Sequence, residues 1–258
     1  MAGSQRNKWI WRILLIVCVI VFTVSAVLLA SRLLPPADQP SVVVPNTSDS
    51  TPPEVLVDNP YDFDALKEQN SDIIGWIRVD GTRIDYPILQ SGEGTVESFY
   101  LDHNPDRQKS RAGSIYIQKM NAPSLRDPNT VVYGHNMGNG SMFADLHRFR
   151  NSRTGEAFFA ENDTITVYTP DYRYTYRIYS AFVFDDRHIL NSYEFHTDEG
   201  YEQFLSVTRN PPTMTRRVRE GVEVTTDDRI ITLSTCVGYD DGKRYLVVGV
   251  LIDEARTK

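Results

Sequence analysis

Eight short runs of β-branched and aromatic residues, each bounded by turn residues, constrain the fold of this chain more than any other feature. Runs of this length and composition are typical of strands. Asp80-Gly81, between the first two runs, predicts a hairpin. The eight runs cover residues 74–79, 83–89, 114–118, 130–133, 164–169, 173–184, 230–236 and 244–252.

Helical patterns are few beside these strands. A short amphipathic helix is predicted to begin at Asn59-Pro60 and end near Gln69, and a second is predicted at 142–149 after a Ser141 cap. A third is predicted at 197–208, because its apolar positions recur at i, i+3, i+4 and i+7. Many strands with few helices predict a mostly β fold, an eight-stranded and closed or nearly closed β-barrel with a few peripheral helices.

The N-terminus carries an apolar segment. Residues 13–30 contain no charge, and as a helix they would reach roughly 27 Å, close to the thickness of a hydrocarbon core. Arg6, Lys8 and Arg12 precede the segment while only Arg32 follows it closely. The positive-inside rule therefore predicts an N-terminal transmembrane helix with a cytoplasmic N-terminus and an exported remainder.

A cleavable secretory signal is the alternative, because Ala26 and Ala30 are small residues near the end of the run. The uncharged length and the preceding Trp9 and Trp11 favour a retained anchor. Residues 35–59 are rich in Pro, Ser and Thr without periodicity, which predicts a linker. The chain thus divides into a tail and anchor (1–34), a linker (35–59) and a globular domain (60–258).

Charge and cysteine count limit the function of the exported part. Without residues 1–34 the chain keeps 23 basic and 34 acidic side chains, a net charge of -11, which argues against nucleic acid as a partner. Cys18 lies in the apolar segment, so Cys236 is the only thiol of the domain and cannot form a disulfide within it. A lone exported thiol is a buried small side chain, an intermolecular bridge or a nucleophile.

Cys236 stands in a context that favours the nucleophile. It ends the run 230–236, and Arg244 begins the next run after a loop that contains Asp241-Gly242. This spacing predicts that Cys236 and Arg244 flank a hairpin turn on adjacent strands. A thiolate attacks carbonyl groups, and a fixed cation stabilises the negative charge that develops on the carbonyl oxygen.

The best candidate for an accompanying base is His135. It directly follows the strand run 130–133, and strand ends are where sites on β scaffolds usually lie. A histidine in this position is also compatible with a structural role. His147 and His188 are expected to be surface or helix residues. Asp240 and Asp241 are explained by turn chemistry alone.

In combination these features resemble the sortase family. Thr232-Leu233-Ser234-Thr235-Cys236 with Arg244 downstream, Val132-Tyr133-Gly134-His135-Asn136 upstream, a membrane anchor and eight β segments look like a sortase. The Thr-Leu-Ser-Thr-Cys form and the helix between the sixth and seventh strands are similar to class B. The resemblance spans residues 61–252.

The resemblance implies a cysteine transpeptidase of Gram-positive surfaces, held in the plasma membrane with its catalytic domain outside. Cys236 would be the nucleophile, His135 the acid and base, and Arg244 the group that stabilises the oxyanion or positions substrate. Ser234 and Leu101 would line the groove for the sorting motif. The implied partners are surface proteins that bear a C-terminal sorting motif and an amine of the cell-wall precursor, and neither a cofactor nor a metal is implied.

Three other functions remain open from the sequence. A pilin-polymerising sortase would use a lysine side chain as the amine. An exported papain-like cysteine peptidase is disfavoured, because in that group the cysteine usually opens a helix and precedes its histidine. A non-catalytic, anchored β-barrel binding module would not need Cys236.

Overall fold

The computed structural model describes residues 56–238 and 242–258. The predicted transmembrane helix at 13–30, most of the linker, and Asp240 and Asp241 lie outside the described residues. Among the residues that are described, no helix has the length and apolar character needed to cross a bilayer.

A closed ring of eight strands forms the body of the domain and confirms the predicted eight-stranded barrel. The described strands are β1 Ile73–Val79, β2 Asp85–Gln90, β3 Ile115–Ile117, β4 Asn129–Tyr133, β5 Thr164–Tyr168, β6 Tyr172–Asp185, β7 Arg217–Val218, β8 Ile230–Cys236 and β9 Lys243–Arg256. The ring runs in the order β5-β1-β2-β3-β4-β8-β9-β6, and pairing of β5 with β6 closes it. The two-residue strand β7 lies on the edge of β6 and was not predicted.

Two pairings in the ring are parallel, β2 with β3 and β4 with β8. The other pairings that close the ring are antiparallel. The β1–β2 hairpin follows the predicted Asp80-Gly81 turn, where Gly81 has a φ of 69°. A side chain is disfavoured at that φ, so glycine suits the turn.

Apolar side chains cover both faces of the sheet around β4, β8 and β9. Ile231, Leu233 and Val247 belong to the cluster that fills the barrel interior. Alternate residues such as Ile230 and Val248 belong to a second cluster on the outer face. Because successive side chains of a strand point to opposite faces, each of these strands carries two separate sets of contacts.

The outer cluster is covered by the segment between β6 and β7, which contains helices α3 (Ile189–Ser192) and α4 (Asp198–Arg209). Helix α4 confirms the third predicted helix, and Thr197 caps it by accepting a hydrogen bond from the Gly200 amide. Its predicted apolar positions, Tyr201, Phe204, Leu205 and Thr208, are all buried. The α-helices are α1 Phe63–Gln69, α2 Gly155–Glu161, α3 Ile189–Ser192 and α4 Asp198–Arg209.

The starts of the two other predicted helices were wrong. Helix α1 is capped by Asp62, whose side chain accepts from the Ala65 amide, while the Asn59 side chain donates to the Thr169 carbonyl. The run 142–149 forms only a 3-10 helix, Ala144–Arg148. Met142 has a φ of 57°, which interrupts any helical turn that Ser141 would cap.

Candidate active site

The candidate site forms where strands β4, β8 and β9 end side by side. Strand β8 lies between the other two, parallel to β4 and antiparallel to β9. Tyr133 pairs with Ser234. His135 and Cys236 each lie two residues beyond this pair along the chain. Cys236 pairs with Arg244 on the other side, as the hairpin spacing predicted. The three residues therefore share one level at the edge of the sheet.

The Cys236–Arg244 pair is of the non-hydrogen-bonded kind. The next pair along the hairpin is Val237 with Lys243, and it is hydrogen-bonded, because the Val237 amide donates to the Lys243 carbonyl at 3.4 Å. In an antiparallel ladder the two kinds alternate, and the non-hydrogen-bonded kind has Cα atoms only about 4.5 Å apart with its side chains on the same face. The side chains of Cys236 and Arg244 thus leave adjacent positions on the outer face of the barrel.

A cleft of about 300 Å³ opens on that face. It is lined by all five residues that the sequence put forward: Cys236, His135, Arg244, Ser234 and Leu101. The Cys236 side chain is a free thiol of intermediate burial, and Ser234 is almost fully buried beneath the cleft. The arrangement gives a carbonyl compound in the cleft access to a nucleophile, an imidazole and a cation.

Leu101 contributes a backbone group that the sequence did not suggest. Its side chain is 44% exposed at the rim of the cleft. Its carbonyl oxygen lies 2.7 Å from Nε2 of His135. Because a carbonyl only accepts, Nε2 carries a proton, so Nδ1 is the ring nitrogen left for proton transfer. The loop that carries Leu101, which contains the short 3-10 helix Phe99–Leu101, therefore orients the imidazole.

That loop is held by a buried polar cluster. The Tyr100 hydroxyl donates to the Asp72 carboxylate at 2.7 Å and accepts from the Asn70 amide at 2.8 Å. Arg107 adds an ion pair to Asp72 at 2.6 Å. Since Tyr100 precedes Leu101, these contacts fix the carbonyl that faces His135.

Two tyrosines form one wall of the cleft, and sequence reasoning missed both. Tyr116 on β3 and Tyr133 on β4 stack with ring centroids 5.6 Å apart. Burial raises the pKa of Tyr116 to about 12, with a further rise from the charge of Cys236 and an opposing effect of Arg244. Burial also raises the pKa of Tyr133, whose hydroxyl has no hydrogen-bond partner among the described residues. Because side chains alternate along a strand, the sequence alone could have placed both tyrosines on the outer face.

The opposite wall is the segment 184–189 that leaves β6. Arg187 binds Asp185 through two hydrogen bonds of 2.7 Å, and these bonds are the main cause of the lowered pKa of Asp185. His188, expected at the surface or on a helix, caps α3 and lines the cleft. No group of three metal-binding side chains occurs within residues 56–238 and 242–258.

His147 and Asn136 contact Cys236 itself, and sequence reasoning missed their role. Both side chains lie within hydrogen-bond distance of its carbonyl oxygen. His147 does lie on a helix, as expected, but half-buried beside the candidate nucleophile. Their role becomes visible only in the folded chain, where segments that are distant in sequence come into contact.

Comparison with known proteins agrees with this geometry. The family model described as the sortase domain matches residues 77–252. Sortase B of Listeria monocytogenes is 34% identical over 190 residues, which cover 72% of each chain. Sortase B of Staphylococcus aureus is 32% identical over 192 residues, which cover 74% of each chain.

Solved structures give the same result. The structure of Clostridium perfringens sortase B aligns with a TM-score of 0.64 at 34% identity, over 74% of this chain and 100% of that one. The Staphylococcus aureus sortase B-substrate complex aligns with a TM-score of 0.63 at 31% identity, over 74% of this chain and 84% of that one. The match of sequence and fold excludes a papain-like peptidase and a non-catalytic module. The chain is similar to sortase B and belongs to the sortase family of cysteine transpeptidases.

Proposed function

We propose that this chain is a membrane-anchored transpeptidase that cleaves a C-terminal sorting motif after threonine and transfers the protein to an amine of the cell-wall precursor. The observation that carries the proposal is the placement of Cys236, His135 and Arg244 at one level of three neighbouring strands, around one cleft. Each residue has a role in acyl transfer that follows from its chemistry.

Acylation begins when the Cys236 thiol gives its proton to Nδ1 of His135, which leaves a thiolate as the nucleophile and an imidazolium as the later proton donor. The sulfur attacks the threonine carbonyl carbon, and Arg244 stabilises the negative charge that moves onto the oxygen. The C–N bond then breaks, the departing amine takes a proton from His135, and a thioester remains.

Deacylation reverses the proton movement. An incoming amine gives a proton to His135 and attacks the thioester carbon, which forms a new amide and releases the thiolate. The structure of a sortase B complexed with Gly3 supports a glycine amine as the acceptor here. The Staphylococcus aureus sortase B-substrate complex supports a peptide as the donor.

Ser234 and Leu101 are proposed to line the groove for the sorting motif. Both border the cleft, one at its floor and the other exposed at its rim. The exposed Leu101 side chain offers an apolar contact to a residue of the motif, while the carbonyl of the same residue holds His135.

The proposed location is the plasma membrane, with residues 13–30 as the single span and the catalytic domain outside. The uncharged run and the basic residues before it support this orientation. An anchored enzyme stays close to membrane-borne precursors that present amino groups. A surface location also keeps the thiol near proteins that have just been exported.

The test uses the full chain in detergent micelles with peptides that contain LPxTG-like or NPxTN-like motifs. Mass spectrometry should detect an acyl adduct that is absent from Cys236→Ala. Triglycine should then release the acyl group as a new amide. A pilin-polymerising enzyme would instead prefer a peptide with a lysine side chain. Absence of any adduct with every motif, from a folded wild-type chain, would contradict the proposal.

A further inference from the structure

The ladder between β4 and β8 ends just before the candidate nucleophile. The Gly134 amide donates to the Ser234 carbonyl at 3.2 Å, and the next donor in this parallel register would be the amide of residue 136. The chain turns away first, because the Phe143 amide donates to the His135 carbonyl at 2.9 Å and Asn136 pairs with Met142. The Cys236 carbonyl thus has no main-chain donor from β4.

Two side chains take the place of that donor. Nδ2 of Asn136 lies 3.2 Å from the Cys236 carbonyl oxygen, and Nε2 of His147 lies 2.9 Å from the same atom. A carbonyl oxygen has two lone pairs and can accept both bonds. The last residue of β8 is therefore held from two directions.

His147 is built to act as a fixed donor. Its ring stacks on Tyr245, the neighbour of Arg244, with centroids 5.2 Å apart and planes inclined by 26°. Burial lowers the pKa of His147, so the ring is neutral at pH 7. Since the carbonyl only accepts, the proton of the neutral ring lies on Nε2.

We propose that Asn136 and His147 are positioning residues of the transpeptidation site. They hold the peptide plane of Cys236 where the strand ladder ends, and so direct the thiol toward the cleft between His135 and Arg244. The two N–H groups also offset the partial negative charge of the carbonyl oxygen beside the sulfur, which favours the thiolate. The inference rests on the proposed role of Cys236 as the nucleophile.

The contact also has a purely structural interpretation, in which it only fastens the 3-10 helix to β8. The two interpretations differ in their consequences for the thiol. A fastening contact affects unfolding and leaves the folded enzyme fully reactive. A positioning contact changes the reactivity of the thiol in a chain that remains folded.

The experiment compares His147→Phe, which keeps a ring for Tyr245 but lacks a donor, with His147→Gln, whose amide restores a donor near the Nε2 position. Asn136→Ala removes the second donor. His196→Phe is the matched control, because His196 is exposed and does not line the cleft. All variants are full chains in detergent micelles, and circular dichroism establishes that each is folded.

Two rates are measured, alkylation of Cys236 by iodoacetamide without peptide, and peptide transfer to triglycine. His147→Phe and Asn136→Ala should each lower the alkylation rate and kcat about tenfold, the size expected for one hydrogen bond, with KM changed less than about twofold. His147→Gln should recover most of the rate, and His196→Phe should match the wild type.

Alkylation and transfer at wild-type rates in both His147→Phe and Asn136→Ala would overturn the proposal. If His147→Phe does not fold, Asn136→Ala decides, since it shortens a side chain that is only half-buried. The alkylation rate separates this inference from the proposed function. A wild-type chain that alkylates normally but transfers no peptide refutes the proposed reaction, while the dependence of alkylation on the two donors still tests the positioning.

Discussion

The two faces of strand β8 differ sharply, although their residues alternate along seven positions. On the inner face, Ile231 and Leu233 are fully buried in the barrel core. On the outer face, Ser234 and Cys236 lie beside a cleft. One strand therefore packs one set of side chains into the core and lines the cleft with the other, so substitutions on the two faces should have separable effects.

The largest effect on activity is expected for Cys236, at the end of β8 on its outer face. Cys236→Ala should abolish the acyl adduct completely, because no other sulfur lies in residues 35–258 except those of methionines. The free energy of unfolding should change little, since the side chain is only partly buried. Mass spectrometry and a urea titration measure the two quantities. A residual adduct would assign the nucleophile elsewhere.

A smaller loss of activity is expected for His135→Ala. Removal of a general acid and base lowers kcat by about 10²–10⁴-fold, and here the departing amine would have no proton donor. Small primary amines resembling the product should not restore the rate, whereas added imidazole should restore part of it. Steady-state kinetics with and without imidazole test this. Wild-type kcat in the variant would remove His135 from the site.

For Arg244→Gln we expect a decrease in kcat of about 10²–10³-fold, the size seen when one oxyanion donor is lost. The loss should be mostly in kcat, because the guanidinium acts on charge that develops during the reaction. Kinetics over a range of peptide concentrations distinguish the two parameters. A change confined to KM would make Arg244 a binding residue only.

On the inner face, Leu233→Ala should act on stability and leave the chemistry intact. Truncation of a fully buried leucine costs about 2–5 kcal/mol in the free energy of unfolding. The folded fraction should still form the acyl adduct with the wild-type kcat. A urea titration and single-turnover kinetics below the transition test this. Loss of chemistry in a fully folded variant would show that the two faces are coupled.

The smallest effect is a pH dependence from His147, the side chain that approaches β8 at the end of the barrel. Burial is the main cause of its lowered pKa, the charge of Arg150 adds to it, and the bond to Cys236 opposes it. The folded chain thus binds this proton less readily than the unfolded chain, so stability is full above about pH 6.5 and decreases as the pH falls toward the folded pKa. Between pH 7.5 and 5.5, Tm should fall less in His147→Phe than in the wild type. An equal fall in both would contradict this assignment.

Local sequence predicted much of this domain because the patterns involved are local. All eight barrel strands appear where the β-rich runs lie, and the face of α4 follows its apolar spacing. The Cys236–Arg244 pair was predictable for the same reason, since a short loop fixes the register of a hairpin. The predicted start of a helix was wrong where a single backbone angle decided the local structure, as at Met142.

The remaining features depend on contacts between distant segments. Pairing of β4 with β8 brings His135 to the level of Cys236, although the two residues are 101 positions apart in the sequence. The sequence of neither strand indicates that the two strands pair in parallel. The Leu101 carbonyl and the His147 ring lie on short 3-10 helices whose positions are set by buried polar and aromatic contacts. The sequence by itself determined the strands and the hairpin that carries thiol and guanidinium, because local spacing encodes them. The tertiary structure alone decided what surrounds that hairpin, because the order of strands in a closed barrel is a property of the whole chain.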